Sequence, residues 1–225
     1  MFESGSMEGD DSSCAAYMDC ILGRGPKYVF KNAKLRKYFK EVSMHSYWSG
    51  ADTKKNAENY FSDKYSKYSV AATEYCQMTD DKNTGVYDLI AKEKNGTNGT
   101  SIKYGVAMAN TIVDDLTIMN ANEWDWWTAC SYGTYTDGLI YLDEDNHENL
   151  DFSKRYYCLG NFSKFIKEGA VRVACSSGVK NVRSVAFVNE DNTVVTVYVN
   201  NNDKKAYTTI DCEGDYAVYT TDRDN

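Results

Sequence analysis

Apolar residues recur along this chain in two periods, and the period changes partway. Ile102, Val106, Ala109, Val113 and Leu116 are spaced four-three-four-three, which sets them on one stripe of an amphipathic helix. Leu35, Tyr38 and Phe39 close a basic, aromatic stretch from Tyr28 to Lys40 at helical spacing. Between such segments lie short runs rich in β-branched and aromatic residues. Val42–Trp48, ended by Ser49-Gly50, is one; Tyr68–Cys76 and Asn122–Trp127 are others, and all three read as strands. Residues 12–24 read as a weak helix, and 51–66 and 152–166 as helices. Residues 79–100, rich in Asp, Asn, Gly and Lys, read as a loop with a short helical turn near 86–92. A long loop follows Trp127. Strand and helix thus alternate through residues 1–166, the pattern of a parallel α/β protein.

After residue 166 the helical period disappears. Val171–Val173, Ser184–Val188, Val194–Val199, Ala206–Ile210 and Tyr216–Thr220 read as strands. Asn189-Glu190-Asp191-Asn192 and Asn200-Asn201-Asn202-Asp203 are turn clusters between them. The pattern predicts a boundary near Glu168-Gly169, with an α/β part over 1–168 and an all-β part over 169–225.

Composition narrows the partners. The 225 residues, 42% hydrophobic and 26% charged, are enough for a sizeable core and argue against extended disorder. Mean hydropathy is -0.59, and no apolar run approaches the ~18 residues of a transmembrane helix. A net charge of -8 disfavours nucleic acid and anionic membranes and is compatible with neutral substrates such as sugars. Aromatics reach 14%, which suits stacking on flat apolar faces and suits an aromatic core equally well. The opening Met1–Asp11 has neither a basic nor an apolar leader region, so it is not a signal peptide. Both ends read as cuts through a longer protein.

Several other signals are weighed and set aside. The cysteines at 14, 20, 76, 130, 158, 175 and 212 form no CxxC pair, and their odd number implies no complete disulfide framework. Asp143 and Asp145 alternate without the glycine and closing Glu of a calcium loop, and read as a solvated turn. His147 reads as a surface residue, so no metal site is expected. Cys76 with His45 lacks the surroundings of a thiol nucleophile. Sequons begin at Asn95, Asn98 and Asn161; the helical setting of Asn161 counts against that one.

Three predicted strands end in polar, aromatic clusters: His45/Tyr47/Trp48, Glu74/Tyr75 and Trp124/Trp126/Trp127. In a βα barrel the active site is built at the C-terminal ends of the strands. A carboxylate among Trp and Tyr there suits a sugar: the carboxylate stabilises or attacks the anomeric carbon, and the rings stack on its C–H face. Ordinary barrel-core aromatics beside a surface Glu would leave the same pattern, and spacing does not separate the two.

Five stretches, in order, resemble one family. Val70-Ala71-Ala72-Thr73-Glu74-Tyr75-Cys76 is similar to the nucleophile strand of glycoside hydrolase family 30, a family of glucosylceramidases, endo-β-1,6-glucanases and galactanases, and xylanases. His45-Ser46-Tyr47-Trp48 resembles its strand-six signature, and Trp124-Asp125-Trp126-Trp127-Thr128-Ala129 its strand-eight sugar platform. The stretch from Phe152 to Gly169 resembles the helix that closes the barrel and leads into the family's side β-domain. Arg183–Asn189 with Val194–Asn200 resembles strands of that domain.

The resemblance implies the C-terminal part of a (β/α)8 barrel, about strands five to eight, followed by an all-β, sandwich-like side domain. It implies a retaining β-glycosidase acting by double displacement on a β-linked glucan, galactan, xylan or glucosylceramide-type glycoside. Glu74 is then the nucleophile. His45 and Tyr47 bind the sugar or orient Glu74, Trp126 is the stacking platform, and Trp124 or Trp127 is a second wall. No cofactor is implied; the partner is an oligo- or polysaccharide, and the family's setting implies an extracellular or periplasmic parent.

The acid/base of the family belongs to an Asn-Glu pair at the end of strand four, which no stretch here resembles. Asn189-Glu190 falls in a side-domain turn. Asn122-Glu123 follows the nucleophile strand rather than preceding it, and reads as a decoy. Without that partner the isolated chain is expected to be inactive. The alternative is a non-catalytic carbohydrate-binding or vestigial module that keeps the Trp platform.

Overall fold

A parallel four-stranded sheet carries the first half of the chain. It runs in the order β1 (Glu3–Ser4), β2 (Glu41–His45), β3 (Ser69–Glu74) and β4 (Glu123–Trp124). The computed structural model describes residues 3–4, 16, 18–20, 34, 37–77, 100–132, 136–143, 145–146, 148–210 and 214–224. The loop expected over 79–99, the turn near 86–92, most of Tyr28–Lys40, His147 and the sequons at Asn95 and Asn98 lie outside them. Among the described residues no helix is long and apolar enough to cross a membrane.

Helices α1 (Ala51–Tyr65) and α2 (Ile102–Thr117) follow β2 and β3, as alternating βα units require. Asp52 in the first turn of α1 and Lys64 in its last complement the helix dipole. Lys54, Ala57, Phe61 and Tyr65 form its buried stripe. Ala57, Phe61 and Tyr65 pack with Val42 and Met44 of β2 and Val70 and Ala72 of β3 in one apolar cluster. Burying each larger side chain there stabilises by about 1.5–3 kcal/mol.

The molecule divides into two units, Met1–Lys92 with Asp114–Thr128, and Glu93–Val113 with Ala129–Asn225, so the division falls within α2. In the second unit β5 (Cys130–Tyr132), β6 (Ile140–Leu142) and β7 (Leu150–Phe152) form a small sheet. Helix α3 (Lys154–Ser163) follows. Arg155 is fully buried there, donating to Tyr141 Oη at 2.7 Å and Gly138 O at 2.9 Å. β8 (Val171–Val173), β9 (Val182–Val188) and β10 (Val194–Asn200) make an antiparallel sheet in the order β10-β9-β8. Asn189 locks the approach to it: Nδ2 donates to Phe165 O and Thr193 Oγ1, and Oδ1 accepts from Lys167 N–H. Asn161 Nδ2 donates to Thr221 Oγ1 at 3.0 Å, so this sequon amide is engaged within the fold.

The elements depart from the sequence pattern in three places. The stretch after Trp127, expected as loop, holds β5, β6 and the start of β7, whose Phe152 was expected to begin the next helix; runs of three residues are too short to show a period. Ala206–Ile210 and Tyr216–Thr220, expected as strands, form none. Strand propensity describes a fit to a half-buried pleated surface, and these side chains are largely exposed. On α2 the deepest side chains are Tyr104, Met108, Ile112, Val113 and Asp115, whereas Ile102, Val106 and Leu116 are only half-buried. The buried face is thus rotated from the expected stripe and includes a carboxylate.

Candidate active site

The C-terminal ends of β2, β3 and β4 bring His45, Tyr47, Glu74, Trp124 and Trp126 together within one unit. Their placement begins with strand register. Ser43 pairs with Ala71 and Met44 with Ala72, so a regular ladder would pair His45 with Thr73. Instead the register shifts, and His45 pairs with Glu74. Such an irregularity inserts one extra residue and re-aims the side chains beyond it. Without it, alternation would put Glu74 on the face of Val70 and Ala72, which packs against α1. With it, the carboxylate meets the side chains of His45 and Tyr47.

The Tyr47 hydroxyl donates to Glu74 Oε1 at 2.9 Å, and His45 Nδ1 lies 3.9 Å from the same oxygen. The Glu74 side chain keeps 30% of its exposure, so it is both held and reachable. Tyr47 Oη also lies 3.5 Å from Cys76 Sγ. Burial, then Cys76 and the Glu74 carboxylate, push the Tyr47 phenol well above its ordinary range, so it remains a proton donor. The chain turns sharply after Tyr47. Trp48 adopts a left-handed φ of 53°, and Ser49 Oγ ties the turn by donating to Tyr47 O at 2.9 Å.

The aromatic rings form a continuous wall. His45 meets Tyr47 edge-on at 5.6 Å, Tyr47 packs on Tyr75 at 5.6 Å, and Tyr75 meets Trp126 edge-on at 5.9 Å. Trp124 and Trp126 stack with ring centroids 6.3 Å apart and planes 29° off parallel. Backbone bonds from Asp125 N–H to Ala72 O and from Trp127 N–H to Tyr75 O extend the pairing past the short β4. Trp127 itself is 54% exposed.

The Asn122-Glu123 pair sits lower on the sheet. Glu123 pairs with Ala71, three residues before Glu74 along β3. Burial raises its pKa first, then a hydrogen bond with Asp125 and the charges of Asp125 and Glu41. Asn122 Nδ2 donates to Glu41 Oε2.

Sequence reasoning missed a second layer beneath the rings. Asp115 of α2 is fully buried and takes Lys54 Nζ of α1 at 2.7 Å. Ser46 Oγ lies 2.8 and 2.7 Å from its two oxygens, and Trp124 Nε1–H donates to Oδ2 at 2.9 Å. In the sequence Asp115 is indistinguishable from a solvated helix aspartate; only the fold supplies its three donors.

Residues 8–141 match the family model of O-glycosyl hydrolase family 30, and residues 169–223 match that of the glycosyl hydrolase family 30 beta sandwich domain. Among solved structures, the chain is similar to the catalytic domain of a family 30 xylanase C from Talaromyces cellulolyticus. The TM-score is 0.53 at 20% identity, over 77% of this chain and 35% of that one. It is similar to an endo-β-1,6-glucanase, with TM-score 0.52 and 19% identity over 78% and 37%. For SrfJ from Salmonella typhimurium the TM-score is 0.54 and the identity 16%, over 77% and 36%. The chain thus spans little more than a third of the length of these proteins. Its fold is the C-terminal part of a (β/α)8 barrel followed by an all-β side domain. With more than half of its residues on the first of these family models, the chain belongs to glycosyl hydrolase family 30.

Proposed function

We propose that this chain carries the nucleophile half of a retaining β-glycosidase, with Glu74 as the nucleophile. The observation that carries the reading is the Glu74 carboxylate at the end of a parallel strand, hydrogen-bonded at 2.9 Å by Tyr47, whose ring belongs to the cluster on which the stacked Trp124 and Trp126 pack. A Glu74 oxygen attacks the anomeric carbon as the glycosidic C–O bond breaks, giving a covalent glycosyl-enzyme. Water then attacks the same carbon, releases the sugar and restores the carboxylate. Tyr47 holds Glu74 in line for attack and His45 bounds its other side. Trp126 and Trp124 receive the sugar's C–H face, with the exposed Trp127 as an outer wall.

In this reading the proton for the leaving group comes from a carboxyl outside the stretches described here, and the isolated chain does not turn over unactivated glycosides. The division of labour follows the sequence: residues 1–168 bear the catalytic part and 169–225 the side domain. The substrate is a β-linked oligo- or polysaccharide of the glucan, galactan or xylan type, or a glucosylceramide-type glycoside. The parent protein acts outside the cytoplasm.

A trapping experiment tests this. Dinitrophenyl 2-deoxy-2-fluoro-β-xylobioside and the corresponding β-glucoside have leaving groups that need no acid, and the fluorine slows release of the intermediate. Incubation should add one glycosyl mass to the peptide bearing Glu74, and Glu74→Gln should abolish the adduct. An adduct on another residue, or a Glu74→Gln protein with full turnover, would overturn the assignment. Sugar binding with no adduct would return the chain to the carbohydrate-binding reading.

A further inference from the structure

We propose that Asp115 is a positioning residue that holds the Trp124 indole and the Tyr47 turn in the geometry the sugar site needs. The inference rests on the reading of that site as a glycoside site. Its chemistry stands on geometry alone. Asp115 lies on α2, Lys54 on α1, Ser46 just after β2 and Trp124 on β4, and all four residues belong to one unit, so one carboxylate ties together four separate stretches of chain.

Three donors meet this carboxylate among the described residues. Lys54 Nζ approaches Oδ1, Ser46 Oγ straddles both oxygens, and Trp124 Nε1–H points to Oδ2. An ionised carboxylate has room for all three, and the Lys54 ammonium, itself 1% exposed, balances its charge. A buried ion pair is weak as a source of stability, because desolvating two charges offsets their attraction. Fixing direction is a better-supported use for it. Ser46 immediately precedes Tyr47, so the bridge sets where the Tyr47 phenol starts toward Glu74. The bond to Trp124 sets the tilt of the ring that stacks on Trp126. Apolar packing alone would let a half-buried indole rotate; a charge-assisted hydrogen bond to a fixed acceptor does not.

The test uses the full chain and aryl glycosides whose leaving groups need no acid. Asp115→Asn keeps the shape but turns an amide NH2 toward one of three donors. Lys54→Met is combined with it so that no ammonium is stranded. A second replacement leaves the ion pair intact: benzothienylalanine at position 124 keeps the bicyclic stacking face and deletes only the N–H. Nitrogen-15 indole spectra and the far-ultraviolet exciton signal of the Trp124–Trp126 pair report ring position. Steady-state kinetics on dinitrophenyl β-xylobioside and β-glucoside, whose leaving groups need no acid, report function.

The proposal expects the Trp124 indole resonance to shift and the exciton signal to fall in the Asn variant. It expects KM to rise about tenfold, with kcat falling severalfold through Tyr47. Position-124 replacement should raise KM alone. A lower melting temperature with unchanged spectra, KM and kcat would make the network merely structural and overturn the proposal. So would a position-124 replacement with unchanged KM. If the spectra shift while Glu74 takes no glycosyl adduct, the glycosidase reading fails and the positioning of Trp124 stands.

Discussion

His45 is paired with Glu74 across β2 and β3, one residue later than the register below it would place the partner. That single slip separates two outcomes for the only carboxylate on β3. In register, Glu74 would share the α1 face with Val70 and Ala72; out of register, it lies 2.9 Å from the Tyr47 hydroxyl. The site exists because the ladder is irregular there.

On an aryl glycoside whose leaving group needs no acid, Tyr47→Phe should therefore lower kcat more than it raises KM. The lost hydrogen bond goes to a charged group, a contribution of about 1.5–3 kcal/mol, or roughly ten- to a hundredfold in rate. Because burial keeps the phenol protonated beyond its ordinary 10.0, the donor role should persist in the wild type through mildly alkaline pH. Steady-state kinetics of both proteins give the answer. An unchanged kcat would reduce Tyr47 to packing.

Glu123→Gln should leave turnover of the same activated glycoside intact, since its side chain sits by Asp125 and Glu41 rather than by Glu74. Its pKa is raised in the folded state, so folding loses stability as pH rises through its titration and the carboxylate becomes charged beside the other two. Removing that charge should raise the melting temperature slightly at neutral pH and leave it unchanged in acid, where the group is already neutral. The group is largely exposed, so the gain should be about 0.2–1 kcal/mol. Thermal melts at the two pH values check this, and a large loss of activity would reopen the Asn122-Glu123 pair as the acid/base.

Cys158 predicts an alkaline limb of stability. Burial, only partly offset by Lys154, pushes its thiol up from 9.0 to about 12. Above pH 9.0 the unfolded chain loses this proton while the folded chain keeps it, so stability falls as pH rises toward about 12 and is unaffected below. The slope from this group is at most about 1.4 kcal/mol per pH unit. Urea melts of wild type and Cys158→Ala across this range should diverge in slope. Parallel curves would show that the thiol is not the source.

Much of the architecture was legible beforehand. The helices read at 51–66 and along Ile102–Leu116, and the strands read at Val42–Trp48 and Tyr68–Cys76, follow from hydrophobic period and turn residues, which act locally, and each overlaps an element of the structure. The change to all-β structure after α3 was legible for the same reason. Ala206–Ile210 and Tyr216–Thr220 were misread because a strand needs a neighbour, and no single segment's propensity supplies one. Strands β5 to β7 were missed because runs of three residues have no measurable period.

The residue types of the site were set by the sequence alone: a carboxylate, a phenol, an imidazole and indoles at three strand ends. Their one-dimensional order also carried the family resemblance. What only the tertiary structure decided is which of them meet. The shifted pairing of His45 and the burial of Asp115 against Lys54 join residues far apart in the chain. Pattern along a chain reports how each segment is solvated. Hydrogen bonds such as Tyr47 to Glu74, Ser46 to Asp115 and Trp124 to Asp115 depend on angstrom-scale distances between segments, and those are set only when the sheet and helices pack.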